Sequence, residues 1–443
     1  MIIQAFERQV KSHPGKLAIK TRTRTITYDA LNQLSNKIAN KIKTICQERC
    51  HIGLLLDDAP EMIAALLGVL KSGNVYVPLV AEFPVKRIHY IIQHAEIRVF
   101  ITDSKNHQWA AAAANDNRNK KMTWLLIENL ENQMETGSDS WEDTGNQKER
   151  DDAYILYTSG STGFPKGVRQ TRGNILYFVE QYTENLGLTS EDHLTLFSSF
   201  SHDAAVMDIY SALLNGATLF PLNLKEQNVF AGLTQWLKAE RITVWHSVPT
   251  VFRYFTANLT GKVDLPALRY VILGGEAVLR SDIEKFCTHF PCRCQLYNLY
   301  GQTESTYNSG QFFPSHLPVE GITLGDVNKN TELVVVDDSG NEKEPLEVGE
   351  IIIVSPHVSP GYWKDDKSNR EKFSETSPGE DDRVYFTGDL GRRLLDNKIE
   401  FLGRKDHQVK IRGHRIELGE IEQTIMQYND ITQAVVIPVE SPS

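Results

Sequence analysis

The sequence predicts an α/β protein. It reads as a large region of mixed sheets with helices, a small β-barrel-like unit, and the start of a small α+β element at the C-terminal end. Three observations predict this. Short apolar runs suited to buried strands alternate with helical patterns through most of the chain. A turn rich in glycine and hydroxyl residues follows one of those strands, at Thr158 to Gly167. Towards the C-terminus, short β runs are split by turn residues, as at Asp337 to Glu344 (DDSGNEKE).

Taken in order, Ile3, Phe6 and Val10 recur at helical spacing, so residues 2–12 read as an amphipathic helix. Lys16 to Lys20 reads as a short strand. Leu31, Leu34, Ile38 and Ile42 mark a second helix after Ile26-Thr27-Tyr28. His51 to Leu56 is a buried strand, Glu61 to Lys71 a buried helix that ends at Gly73, and Val75 to Leu79 the next strand. Residues 104–150 are polar and read as a surface loop, with one strand at Thr123 to Ile127. The strand–helix rhythm returns with a strand at Ala153 to Thr158 and a helix at Asn174 to Tyr182. Leu194 to Phe197, Thr243 to His246, Arg269 to Leu273 and Gln295 to Leu299 are further strands. Glu332 to Asp338 and Glu350 to Ser355 belong to the β-rich unit, at about 320–400. The tail reads as strand (His407 to Glu417), helix (Gly419 to Tyr428) and strand (Gln433 to Val439).

The 443 residues suffice for a large core, and 41% hydrophobic with 23% charged residues is ordinary for a globular chain. The net charge of −10 argues against nucleic acid as the main partner, because phosphate backbones need a clustered basic face. The apolar run Met62 to Leu70 is too short to span a bilayer, and the N-terminus lacks the apolar region of a secretory signal. A cytoplasmic monomer, with no nucleic-acid or membrane partner, is therefore expected. Cys46, Cys50, Cys287, Cys292 and Cys294 are odd in number and lack the paired spacing of a zinc site, so they read as reduced thiols.

The most informative stretch is Tyr157 to Val168 (YTSGSTGFPKGV). Gly160, Gly163 and Gly167 let the backbone approach an anion, while hydroxyls and Lys166 add donors and charge. That combination suits a polyphosphate. It is not a Walker loop, because Pro165 precedes the lysine and the glycine spacing differs. A flexible surface turn is the bland alternative.

This loop resembles the signature of acyl-adenylate-forming enzymes, which include acyl-CoA ligases, luciferases and the adenylation domains of nonribosomal peptide synthetases. Other stretches match in the family's order: Ile26 to Tyr28, Leu70 to Leu79, Tyr300 to Glu304 (YGQTE), Gly361-Tyr362-Trp363, Tyr385 to Leu390 (YFTGDL) and Gly403 to Glu422. Leu70 to Leu79 and Gly403 to Glu422 favour the peptide-synthetase branch. Gln302 departs from it, since that branch usually has proline there.

The resemblance implies a two-step reaction. A carboxylate attacks the α-phosphorus of ATP and releases pyrophosphate, then a thiol takes the acyl group. The chemistry requires in-line positioning and charge stabilisation, with Mg²⁺ on the phosphates. It implies that Thr158, Ser161, Thr162, Gly163 and Lys166 hold phosphates, with Thr303 at the α-phosphate and Glu304 as the Mg²⁺ ligand. Asn298 would bond the adenine amino edge and Tyr300 would stack on the ring, with Gly275, Glu276 and Gly301 also among the residues that bind the nucleotide. Asp389 and Arg404 would bond the ribose, and Phe401 would flank the base. Singly, Asn298 and Tyr300 could be core strand residues and Asp389 a turn residue.

Asp203 matches the aspartate that pairs with the α-ammonium of an amino acid, with an N-cap of its own helix as the alternative. Ala204, Met207, His246, Ile272, Gly274, Leu299, Tyr307 and Asn308 would line the side-chain pocket, a set that names no single amino acid. His246 could also be a core histidine.

By the resemblance, residues 1–404 are the large N-terminal subdomain and 405–443 a hinge at Asp406 with an incomplete C-terminal lid. The lid is expected either to be cut short or to be interrupted by an inserted domain. No lysine follows Lys410 to serve as the lid's catalytic lysine, so adenylation by this chain alone is expected to be slow, by on the order of 10²–10³. The expected partners are an amino acid, a peptidyl or acyl carrier protein with its phosphopantetheine arm, and inserted or downstream synthetase domains. An acyl- or aryl-CoA ligase and a non-catalytic scaffold are the competing readings.

Overall fold

The computed structural model describes residues 1–114, 122–131, 141, 147–160, 164–315, 321–375, 382–406, 408–411, 414–426, 428, 431 and 434–439. The chain forms two compact units, Met1–Leu156 with Gly167–Val229, and Tyr157–Lys166 with Phe230–Ser443.

In the first unit, the strands Thr123–Leu126, Val99–Thr102, His51–Leu55 and Val75–Pro78 lie side by side and parallel, with Asp152–Thr158 next to Val75–Pro78. Their residues are apolar without alternation because both faces are covered: every residue of Val75–Pro78 and Val99–Thr102 is buried. The helix Ala59–Lys71 has proline in its first turn and is buried from Pro60 to Lys71, and the chain leaves it through Gly73 at φ +81. The helix Tyr28–Ile45 starts at Thr27, whose side chain accepts from the Ala30 amide. A further group of strands runs His193–Leu196, Thr218–Pro221 and Leu17–Lys20, all parallel, with Thr25–Thr27 antiparallel at its edge. The helix Asp203–Leu214 follows the first of these and is buried from Ala205 to Leu214.

In the second unit, Val244–Ser247, Tyr270–Gly274 and Gln295–Tyr300 are parallel, and Ser309–Pro314 returns antiparallel beside the last. Residues of interest cluster at the carboxyl ends of these strands, where open α/β sheets place their ligands. The β-rich part contains Glu332–Val336, Val348–Ser355, Arg383–Arg393, Phe373–Glu375 and Ile399–Arg404. The barrel-like reading is corrected here. The described strands form an open five-stranded sheet, in which the long strand Arg383–Arg393 pairs with Val348–Ser355 on one side and with two short strands on the other.

Three other sequence expectations change. Residues 104–150 hold more than the one expected strand, which is present at Thr123–Leu126: Ser104–Ala114 and Ile127–Glu131 are helical. The alanine run Ala110–Ala114 has the highest helix propensity available, and the Asp103 carboxylate accepts from the Asn106 amide at the helix start. The single strand expected over 407–417 is an antiparallel hairpin, Gln408–Ile411 with His414–Glu417. The final strand is absent over the described residues 434–439, where Val435, Ile437 and Val439 are largely exposed and no strand pairs with them. Without a ladder partner, β propensity alone does not make a strand. No helix among the described residues is long and apolar enough to cross a membrane.

Candidate active site

The loop Tyr157 to Lys166 leaves the strand Asp152–Thr158 and must turn tightly. A Cβ at Gly160 would meet the Phe164 carbonyl oxygen at 2.1 Å, so only glycine fits there. Ser161, Thr162 and Gly163 lie outside the described residues. Thr158 Oγ1 is buried and makes no hydrogen bond among the described residues. Ser159 Oγ donates to the Arg415 carbonyl at 2.5 Å. Lys166 Nζ lies 5.3 Å from the centre of the Tyr362 ring. Burial lowers the Lys166 pKa against the pull of Asp365.

Glu304 sits in the turn after the strand Gln295–Tyr300 and is fully buried. Its Oε1 accepts from the Tyr362 hydroxyl at 2.7 Å and from Arg415 Nη1 at 2.9 Å. Burial pushes this carboxyl up, but Arg415 and Tyr362 outweigh that and hold it below the usual carboxylate range. Glu304 Oε2 is buried without a partner. An idle, ionised, hard oxygen is the donor that Mg²⁺ accepts, so the residues present fit that ion. No cluster of three or more acidic, histidine or cysteine side chains suited to a metal occurs among the described residues.

Asp389 lies in the strand Arg383–Arg393, after Gly388 at φ +76, where a Cβ would meet Arg404 Nη2 at 2.8 Å. Its Oδ2 accepts from the Tyr300 hydroxyl and from Gln302 Nε2, both at 2.7 Å, and its Oδ1 accepts from Arg404 Nη1 at 2.6 Å. Burial and the Asp389 charge push the Tyr300 hydroxyl well above its ordinary pKa, so it remains a donor. Arg404 also forks onto Asp406 through Nε at 2.9 Å and Nη2 at 2.6 Å. Phe401 and Tyr300 pack on the cluster of Leu324, Val335, Ile351 and Ile399.

The other expected residues are placed as follows. Asn298 Nδ2 donates to the Thr323 carbonyl at 3.3 Å. Thr303 and Gly301 stand in the turn before Glu304. A Cβ at Gly301 would meet the Thr306 carbonyl oxygen at 1.8 Å, and Thr306 itself has φ 61. Gly275 has φ +80, and Glu276 Oε2 accepts from the Thr250 amide and hydroxyl, at the start of the helix Pro249–Thr256. His246, Ile272, Leu299, Tyr307 and Asn308 are all buried, and Gly274 ends its strand against Leu299. These belong to the second unit, while Asp203, Ala204 and Met207 belong to the first. Asp203 is the first residue of its helix, not the N-cap, which is His202. Asp203 Oδ1 accepts from the Ala204 amide at 2.9 Å.

Three residues in contact with this constellation had no role assigned from sequence: Tyr362 and Arg415 at Glu304, and Gln302 at Asp389. All three lie inside stretches that carried the family resemblance, which was the available signal.

Comparison with known proteins follows the same direction. Tyrocidine synthase 1 of Brevibacillus parabrevis is 33% identical over 99% of this chain, and gramicidin S synthase 2 of Aneurinibacillus migulanus is 33% identical over 98%. The chain spans only 39% and 10% of those relatives. The crystal structure of the nonribosomal peptide synthetase FmoA3 in its AMPPNP-bound form matches with a TM-score of 0.80 and 26% identity, over 92% of this chain and 43% of that one. The adenylation–PCP fusion NpsA-ThdA from Klebsiella oxytoca shares the fold at a TM-score of 0.84 and 23% identity, over 100% of this chain and 86% of that one. The family model described as AMP-binding enzyme matches residues 6–363, and the chain belongs to that family.

Proposed function

We propose that this chain activates an α-amino acid as its aminoacyl adenylate and passes the acyl group to the phosphopantetheine thiol of a carrier protein in nonribosomal peptide assembly. The substrate carboxylate oxygen bonds the α-phosphorus of ATP as the bond to the β-phosphate oxygen breaks, and pyrophosphate leaves. The carrier thiol then bonds the acyl carbon, its proton is lost, and AMP leaves.

The observation that carries this reading is the connected cluster Ser159–Arg415–Glu304–Tyr362 in a member of the AMP-binding family, with Lys166 beside it and two buried polar atoms, Thr158 Oγ1 and Glu304 Oε2, lacking partners. In this reading Thr158 and Lys166, with Ser161 to Gly163, hold the β and γ phosphates, and Thr303 reaches the α-phosphate. Glu304 holds Mg²⁺, which when bound neutralises phosphate charge. Asn298, Tyr300 and Phe401 take the base, Asp389 with Arg404 the ribose, and Gly275, Glu276 and Gly301 also contact the nucleotide. Asp203 pairs with the substrate ammonium, and the side-chain pocket is the set from Ala204 to Asn308 given above. Asp406, gripped by Arg404, is the hinge to the lid region 405–443.

The amino-acid substrate is supported by relatives that are peptide synthetases, and the carrier partner by a fold neighbour described as an adenylation–PCP fusion. ATP supply and unpaired thiols suit a cytoplasmic setting; all five cysteines are free. Gln302 favours a second reading, an acyl- or aryl-CoA ligase.

The test is ATP–pyrophosphate exchange by the full-length polypeptide across the common amino acids. Stimulation by one or a few is expected. Exchange with none of them, together with CoA consumption on simple carboxylic acids, would overturn the first reading in favour of the second.

A further inference from the structure

We infer that Gln302 is a positioning residue: it holds one oxygen of Asp389 so that the other meets the ribose of the nucleotide. This rests on the ribose reading of Asp389 proposed above. An ionised carboxylate offers about four acceptor positions, two on each oxygen. Tyr300 and Gln302 take both on Oδ2, and Arg404 takes one on Oδ1. One position remains, on Oδ1, so the carboxylate presents a single acceptor to a sugar that carries two hydroxyls. Gln302 selects which oxygen that is.

The amide of Gln302 cannot turn freely. Its Oε1 accepts from Ser305 Oγ at 3.2 Å, and Ser305 Oγ accepts in turn from Asn308 Nδ2 at 2.8 Å. Asn308, Ser305, Gln302 and Asp389 are each at most 7% exposed, so water does not substitute for any link. The backbone around the relay is closely confined. Its Gly301 has no room for a Cβ, and Thr306 is held at positive φ. A proline at 302 would lack the donor that reaches Asp389. The relay therefore ties the ribose carboxylate to Asn308, a residue of the expected acid pocket.

The experiment measures Kd for ATP, 2′-deoxy-ATP and 3′-deoxy-ATP with Mg²⁺ by calorimetry. It compares the unmodified chain with Gln302→Met, which keeps the side-chain volume, and with Gln302→Leu, a second apolar replacement, the melting temperature of each variant reporting whether it folds. The unmodified chain is expected to prefer ATP to at least one deoxy analogue. Both variants should cut that preference by about tenfold, mainly by weakening ATP. Ser305→Ala should shift it the same way by less. Equal weakening of ATP and both analogues, or no change, would overturn the positioning role, the first by showing a merely structural one. If the unmodified chain binds ATP without distinguishing the analogues, the ribose reading of Asp389 itself fails.

Discussion

Glu304 and Asp389 are two buried carboxylates in the same unit, and they are held in opposite ways. Glu304 loads both of its donors, Tyr362 and Arg415, on one oxygen and leaves the other without a partner. Asp389 spreads three donors over both oxygens. A buried acceptor left unpaired costs about 1–3 kcal/mol or more when charged, so the idle oxygen of Glu304 is sustained by the rest of the fold and is relieved by any cation that binds there. Asp389 has no such idle oxygen. It gains less from a ligand and acts by direction. In the function proposed above, the contrast suits Glu304 to receiving an ion and Asp389 to aiming at a hydroxyl.

The sharpest way to break this contrast is Glu304→Gln, which preserves shape and removes charge. Amino-acid-dependent pyrophosphate exchange should fall by on the order of 10²–10³. A fall of less than threefold would remove Glu304 from the chemistry. Asp389→Asn should act on binding instead. Losing hydrogen bonds to a charged group should raise the Kd for ATP by roughly 10- to 100-fold in calorimetry, with loss of discrimination against the deoxy analogues. If exchange collapses while ATP affinity holds, the two roles have been assigned to the wrong carboxylates.

Acid titration sharpens the comparison further. The folded-state carboxyl of Glu304 lies below its unfolded value, so its contribution to stability is present above about pH 4.3 and is lost as pH falls through the lower folded value. Melting temperatures measured without nucleotide from pH 6 down to pH 3 should fall more steeply below pH 4 in the unmodified chain than in Glu304→Gln. Parallel curves would mean that Arg415 does not hold this carboxylate charged. The smallest effect is expected at Phe164. Phe164 is 59% exposed, and Phe164→Ser should change stability by no more than about 0.5 kcal/mol in a denaturant titration.

Much of the fold and site was legible where the reason for a residue is local. The buried strands His51–Leu55 and Val75–Pro78 announce themselves as unbroken apolar runs, because parallel strands are covered on both faces. The loop around Lys166 stands out as a candidate because glycine, hydroxyl and positive charge, the set that suits an anion, fall within a few consecutive residues. The helix Ser104–Ala114 was not, since its polar surroundings masked an alanine run that carries its own propensity. Gln302 stood out only as a departure from proline, with no hint of what it touches.

By itself, the order of residues determined most of the strand–helix alternation, and it marked the glycine-rich loop and the two carboxylates as candidates, because propensity, periodicity and donor chemistry act over short stretches of chain. Only the tertiary structure decided which donors reach them. Arg415 meets Glu304 across 111 positions of sequence and Gln302 meets Asp389 across 87. A hydrogen bond depends on distances of a few tenths of an ångström between atoms, and those are set by how separate strands and turns pack.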